Sequence, residues 1–207
     1  MGEAAAPVVI KLGGSLAFSH NLQQWIGACA VCAGRVVVVP GGGPFADTVR
    51  SAQARMQFDD AAAHRMAVLA MEQYGHALAG RNDVLALADT AAAIRHCLAT
   101  QRVPVWLPAR MVFDAGDIAQ SWDVTSDSLA AWLSGRIGAA RLFLVKSAAP
   151  ASRHERCETL AETGIVDKAF PRYFRNSAVR CSILGPADHA TAITAIRDGA
   201  PAGVAIE

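Results

Sequence analysis

Val36-Val37-Val38-Val39-Pro40-Gly41-Gly42-Gly43 decides the fold. Four consecutive β-branched residues favour an extended backbone. A run that is apolar on both faces suits a strand covered on both sides, as parallel strands in α/β sheets are. Proline and three glycines end it. The earlier run Val8–Leu12 is likewise apolar and ends in Gly13-Gly14. Around these two strands the periodicity switches between strand and helix. Asn21 to Ala33, Phe45 to Met56 and Asp59 to Leu78 read as helices, the last with Ala62, Met66, Leu69, Ala70 and Tyr74 at helical spacing. Thr90 to Ala99, Thr125 to Ile137 and Ala187 to Arg197 are further helices, with Thr125 or Ser126 as N-cap. Val103–Leu107, Leu142–Val145, Val179–Leu184 and Gly203–Ile206 are strands, and Met111–Phe113 is a candidate short one. Ser147 to Thr163 lacks periodicity and reads as a loop. This alternation implies an α/β fold with a mainly parallel sheet. With neither a linker-like segment nor an internal repeat, residues 1–207 are expected to form one domain.

The bulk composition excludes several functions. Apolar residues make up 53% of the chain and charged residues 18%, with a net charge of +1. That balance argues against disorder and against a nucleic-acid binder working by bulk charge. No apolar run is long enough to span a bilayer. No basic segment precedes an apolar core near Met1 to Pro7, so no signal peptide is expected and a cytoplasmic location is the default. Cys29 and Cys32 form a CxxC in an apolar, helix-like stretch. A zinc site would need a second pair at suitable spacing, which is lacking, so these two are expected to pack as small residues and no metal ligands are assigned.

Only three of the nineteen basic residues are lysines. Lys11 precedes the first glycine pair, in Lys11-Leu12-Gly13-Gly14-Ser15. Lys146 closes the Leu142–Val145 strand. Lys168 ends Gly164-Ile165-Val166-Asp167-Lys168. Biased composition accounts for their scarcity but not for their placement. Ligands in open α/β sheets bind beyond the carboxyl ends of strands, and all three are read as handling phosphate there. Glycines let backbone N–H groups approach phosphate oxygens, and helix N-termini favour anions. Neither glycine cluster matches G-x-x-x-x-G-K-[ST] or G-x-G-x-x-G, which disfavours a P-loop ATPase and a Rossmann dehydrogenase.

A third element is Trp122-Asp123-Val124-Thr125-Ser126-Asp127-Ser128-Leu129-Ala130. Asp127 falls in the first turn of its helix, where hydroxyls and free N–H groups would face the crevice. Its carboxylate either holds lysine ammoniums, binds a magnesium ion through water, or simply offsets the helix dipole. Asp47 and Arg50, just after the triple glycine, would together suit an acceptor with an ammonium and a phosphate, or form a local ion pair on an exposed face. Asp60 and His64 are four apart and able to meet on one helix face. Trp106, Trp122 and Trp132 read as core residues.

In this order the three motifs, from Lys11-Leu12-Gly13-Gly14-Ser15 through Pro40-Gly41-Gly42-Gly43 to Thr125-Ser126-Asp127-Ser128-Leu129-Ala130, resemble the amino-acid kinase superfamily. The resemblance implies a three-layer αβα sandwich around a mainly parallel sheet, with magnesium-ATP as phosphoryl donor. It implies that Lys11 reaches the transferred phosphoryl group and that Gly13, Gly14, Ser15, Gly42 and Gly43 line the phosphates. Asp127 would be the acid that positions Lys11 and Lys168. Gly164 to Lys168 is similar to a segment whose lysine stabilises the transition state in acetylglutamate kinase, and Lys146 sits where uridylate kinases carry a lysine before their nucleotide loop. Asp123 and Thr125 would contact substrate. Ser147-Ala148-Ala149-Pro150 departs from the Asp-Gly-containing turn of most relatives, which affects the nucleotide contacts.

Within the superfamily the chain resembles the kinase family that acts on the (aminomethyl)furanmethyl phosphate of methanofuran-type cofactor synthesis. The features are Phe45-Ala46-Asp47-Thr48-Val49-Arg50, Ala63-His64-Arg65-Met66-Ala67, the Trp122 to Asp127 stretch and Val166-Asp167-Lys168-Ala169-Phe170. That implies transfer of a phosphoryl group to a small phosphate-bearing acceptor, with Asp47 and Arg50 at the acceptor. The competing expectations are a uridylate kinase-like enzyme and a non-catalytic nucleotide- or anion-binding protein of the same fold. Relatives pair through the helix that resembles Asp59–Leu78, so a homo-oligomer is expected. Neither nucleic acid nor membrane is an expected partner.

Overall fold

A computed structural model describes residues 6–147, 152 and 154–207. The valine run forms β2 (Val36–Pro40), buried along its whole length. It lies beside β1 (Val8–Leu12), also buried throughout, with Lys11 opposite Val39. On its other side β1 pairs with β5 (Arg141–Val145), with Lys11 opposite Leu144 and Leu12 opposite Val145. The remaining strands are β3 (Leu85–Ala88), β4 (Val103–Trp106), β6 (His154–Glu155), β7 (Arg180–Leu184) and β8 (Val204–Ile206). Their order across the sheet is β3-β4-β2-β1-β5-β7-β8-β6. The pairings are parallel except that β8 runs antiparallel to β7.

Helices cover both faces. They are α1 (Asn21–Val31), α2 (Gly43–Met56), α3 (Asp60–Ala79), α4 (Ala91–Ala99), α5 (Ala109–Phe113), α6 (Ser126–Ile137), α7 (Cys157–Glu162), α8 (Phe170–Ser177) and α9 (His189–Asp198). Alternation along the central strands divides the core in two. Val8, Ile10, Val36, Val38, Phe143 and Val145 pack toward α1 and α9. Val9, Val37, Val39, Leu142 and Leu144 pack toward α6 and its neighbours. Helix α3 serves both clusters, giving Val68 and Met71 to one and Tyr74 and Leu78 to the other. The result is the three-layer αβα sandwich expected. By the same alternation Lys11 projects to the α6 face.

Several local expectations need correction. Met111–Phe113 is not a strand but part of α5, where Glu72 Oε1 accepts a hydrogen bond from the Ala109 N–H at 2.9 Å and so caps the first turn. The Ser147–Thr163 stretch is not all loop: it holds β6 and α7, while Ala148 to Ala151 and Arg153 lie outside the described residues. Helix α8 and the short strand β3 are additional to the elements expected. Cys29 and Cys32 are buried and unpaired, and burial pushes the Cys29 thiol up to about 12. No described helix is long and apolar enough to cross a membrane.

Candidate active site

Strand order reverses around β1: the chain moves outward through β2 and later returns to β5 on the other side. The crevice beyond the carboxyl ends of β1 and β5 is therefore the topological switch point, where open α/β sheets bind ligands. Lys11 is the fourth of the five β1 residues, and Lys146 follows the last residue of β5. Both reach the same acid. Lys11 Nζ lies 3.0 Å from Asp127 Oδ1, and Lys146 Nζ donates to Asp127 Oδ2 at 2.5 Å. Lys11 and Asp127 are only 5% and 3% exposed, which makes this a buried ion triad rather than a surface pair. Burial alone would raise the Asp127 carboxyl, but the two ammoniums outweigh it and hold it at about 2. Burial lowers the Lys11 pKa, opposed by Asp127 and reinforced by the charge of Lys146. With both lysines and the acid ionised, the triad itself carries a charge of +1.

Lys168 does not join this triad. It is exposed, and its ammonium lies 3.4 Å from Asp123. Asp127, expected to position Lys11 and Lys168, contacts Lys11 and Lys146 in this structure. The reason is register, since Leu12 lies opposite Val145 and this sets Lys146 next to the end of β1.

The N-terminus of α6 is closed by a residue absent from the sequence-based assignments. Asp167 Oδ2 accepts hydrogen bonds from the Thr125 N–H at 3.0 Å, the Thr125 hydroxyl at 2.8 Å and the Ser128 N–H at 3.0 Å. Its Oδ1 accepts one from the Ser128 hydroxyl. Burial and the nearby Asp127 charge raise its pKa, against these hydrogen bonds. Thr125 is the N-cap, as one of the two expected candidates, but its own side chain does not cap. The hydroxyls and N–H groups of Thr125 and Ser128 expected to face the crevice are thus engaged by Asp167. An acid three residues past Gly164 was visible in the sequence, but its partners lie about forty residues earlier.

The two glycine turns meet backbone to backbone. A Cβ on Gly14 would fall 2.5 Å from the Gly43 nitrogen, and one on Gly41 would fall 2.7 Å from the Gly14 nitrogen. Gly43 also has a positive φ of 56°, a conformation that glycine adopts without penalty. Gly13 carries Lys11 close above it, with Nζ 3.6 Å from where a Cβ would stand.

Two cavities open at this end of the sheet, and Asp127 and Lys146 line the second of them. The first, about 390 Å³, runs from the glycine turns under Trp122 and is lined by Ser15, Asp47, Arg50, His64 and Thr125 among others. The second, about 490 Å³, is lined by Asp123, Asp127, Lys146 and Gly164 to Lys168. Arg50, Trp122 and Thr125 line both. Trp106 and Trp132 are core residues, stacked on each other. Trp122 is instead half-buried at the site: its Nε1–H donates to Gln53 Oε1 at 2.7 Å, and the Arg50 guanidinium lies 4.0 Å over its ring. That stack pre-orders an arginine without neutralising it. Asp60 and His64 do not pair: Asp60 accepts from Gln53, while His64 is buried against Ser121. Ser15, Gly42, Gly43 and Asp47 line the first cavity.

Magnesium is implied by the superfamily resemblance. Both Asp127 oxygens face ammoniums, both Asp167 oxygens are occupied, and Asp123 sits with Lys168. Among the described residues no group of three His, Cys, Asp or Glu stands together as metal ligands. In this structure both Asp127 oxygens are thus taken up by ammoniums.

A buried acid bridging two lysines at the switch point of a mainly parallel sheet defines an α/β protein with a crevice suited to anionic phosphate groups. The chain belongs to the amino acid kinase family, whose model matches residues 6–149. It is similar to a [5-(aminomethyl)furan-3-yl]methyl phosphate kinase of Methanocaldococcus jannaschii, at 25% identity over 127 residues. That stretch is 60% of this chain and spans 58% of the relative's length. Solved structures share the fold. A uridylate kinase from Archaeoglobus fulgidus superposes with a TM-score of 0.74 at 18% identity, covering 97% of this chain and 100% of that one. A UMP kinase from Bacillus anthracis gives 0.72 at 14% identity, covering 98% and 96%.

Proposed function

We propose that this protein transfers the γ-phosphoryl group of ATP to a small phosphate-bearing acceptor, an (aminomethyl)furanmethyl phosphate, forming the diphosphate. The observation that carries the reading is the Asp127 clamp, which holds Lys11 and Lys146 together beyond the ends of β1 and β5. Transfer from one phosphate to another brings anions together, so a site with fixed cations suits it. The Methanocaldococcus relative, a [5-(aminomethyl)furan-3-yl]methyl phosphate kinase, supports the acceptor.

In this reading the first cavity takes the acceptor and the second takes the nucleotide. The acceptor phosphate oxygen attacks the γ-phosphorus in line. Its bond to phosphorus forms as the bond to the β,γ-bridging oxygen breaks, and ADP leaves. An ionised phosphate is already nucleophilic, so no general base is required. Lys11 and Lys146 stabilise charge on the transferring group, while Lys168 swings from Asp123 onto the leaving phosphate. Arg50, stacked on Trp122 where the cavities join, holds the acceptor phosphate; Gly13, Gly14, Gly42 and Gly43 offer backbone N–H groups. Magnesium would arrive on the nucleotide's phosphates. The reading includes self-association through the outer face of α3, where Met66 and Leu69 are exposed.

The test is ADP release with magnesium-ATP and four acceptors: the furan phosphate, UMP, isopentenyl phosphate and acetylglutamate. Turnover confined to the furan phosphate is expected. Turnover confined to UMP would replace the acceptor with a nucleotide. ATP binding by calorimetry with no turnover on any acceptor would favour a binding protein of this fold.

A further inference from the structure

His64 lines the first cavity from α3, is 2% exposed, and makes no ion pair among the described residues. Its Nδ1 lies 3.2 Å from the Ser121 carbonyl oxygen. A carbonyl oxygen only accepts, so Nδ1 must carry the hydrogen. In the neutral ring Nε2 then holds a lone pair and no hydrogen. Burial lowers the pKa of this imidazole and the charge of Arg65 lowers it further, while the main-chain carbonyls of Ser121 and Val124 pull the other way; the net shift is downward. The neutral form with hydrogen on Nδ1 is thus the form at neutral pH. Its Nε2 is buried and has no hydrogen-bond partner in the protein. An orphaned buried acceptor is costly unless a ligand satisfies it.

We propose that His64 is a specificity residue, whose Nε2 accepts a hydrogen bond from a protonated primary amine on the molecule bound in this cavity. The choice of an amine over a hydroxyl comes from the charges around the cavity. Asp47 lines the same cavity on α2 and makes no ion pair among the described residues, so a cation is favoured there over a neutral donor. Arg50 and the glycine turns supply the complementary end for a phosphate. An acceptor with an ammonium at one end and a phosphate at the other is then read at both ends by one cavity. The proposal rests on the reading of this cavity as the acceptor site, but not on catalysis.

Two measurements test it. The first is a two-bond nitrogen–proton spectrum of histidine-labelled protein. It should show one histidine, absent from His64→Leu, that stays neutral with hydrogen on Nδ1 across neutral pH. Hydrogen on Nε2, or an imidazolium at pH 7, overturns the proposal. The second is calorimetric binding of (aminomethyl)furanmethyl phosphate and of the analogue with methyl in place of aminomethyl. Wild type should prefer the amine by about tenfold or more, the usual scale for losing one charged hydrogen bond. His64→Leu should bring the two affinities within about threefold of each other. His64→Gln, whose amide can both donate to Ser121 and accept from the ligand, should restore part of the preference. An unchanged preference in His64→Leu, no preference in wild type, or no binding of either compound overturns it. Binding with the expected preference but no phosphoryl transfer would instead remove the kinase reading and leave the role of His64 standing.

Discussion

Asp167 holds Thr125 by two hydrogen bonds at once, from its main-chain N–H at 3.0 Å and from its hydroxyl at 2.8 Å. The pair ties the segment before Lys168 to the first turn of α6, two residues from Asp127. An acid that caps a helix from elsewhere in the chain both satisfies orphan N–H groups and opposes the dipole. Asp167→Ala removes the partner of two N–H groups and two hydroxyls, and should cost about 3 kcal/mol in urea denaturation. Asp167→Asn should cost about half of that, because it keeps acceptor oxygen while relieving repulsion with Asp127. Turnover in both variants should fall by about tenfold, because the turn that carries Asp127 loses its tether.

The three lysines should separate in mutants. Lys11→Ala and Lys146→Ala each remove one of the two ammoniums that Asp127 holds in the buried triad. Each should lower stability by about 3 kcal/mol and reduce turnover by about a hundredfold or more. Lys168→Ala breaks only an exposed pair with Asp123, so the denaturation midpoint should stay within about 1 kcal/mol of wild type. Its turnover should nevertheless drop steeply, because in the proposed mechanism it stabilises the leaving phosphate. Normal turnover in Lys168→Ala would remove it from the catalytic set and leave the Asp127 clamp alone in that role.

Stability should respond to acid in two opposed phases. The Asp127 carboxyl is held at about 2 against an ordinary 3.8, so as pH falls the unfolded chain takes its proton first. Its contribution, on the order of 2 kcal/mol, is complete above about pH 4 and drains away as pH falls toward 2. Asp167 has the reverse sign, because its pKa is raised. It protonates first in the fold, so stability rises as pH drops through its folded pKa toward 3.8. Denaturant titrations at a series of pH values should show a rise and then a loss. Asp167→Asn should abolish the rise, and Asp127→Asn the loss.

The strands that make the crevice were legible because Val8–Leu12, Val36–Val39 and Leu142–Val145 are apolar on both faces, which few other environments tolerate. The glycines and Lys11 stood at their ends, and Asp127 at a helix start. Which lysine shares Asp127 was not legible, because it depends on β5 pairing directly with β1 across more than a hundred residues. Strand β3, Leu-Ala-Leu-Ala, carries little β propensity and is held by its neighbour β4. Met111–Phe113 has strand-like residues, yet the Glu72 cap on Ala109 makes it helical. Trp122 was read as core because its role depends on Arg50 and Gln53, which approach it from α2. In each case a contact distant in sequence overrode a correct local tendency.

Gly14 offers the most direct test of the site's construction. Its missing Cβ is what lets the first glycine turn touch the second: an added carbon would stand 2.5 Å from the Gly43 nitrogen and 2.7 Å from its Cα. Both atoms are backbone, so no side chain can swing aside. Gly43 is itself constrained, with a φ of 56° and the Tyr74 ring 3.3 Å from where its own Cβ would be. The turns must therefore separate in Gly14→Ala. The expected cost is about 2 kcal/mol or more in denaturation, with a loss of turnover greater than that stability change explains at assay temperature. Gly13→Ala serves as the comparison. Its Cβ would meet the Val145 carbonyl at 3.0 Å and stand 3.6 Å from Lys11 Nζ, a tight fit but not an overlap with the second turn. It should therefore destabilise less, while displacing Lys11. If Gly14→Ala keeps wild-type stability and turnover, the close contact between the two turns is not what shapes the phosphate site.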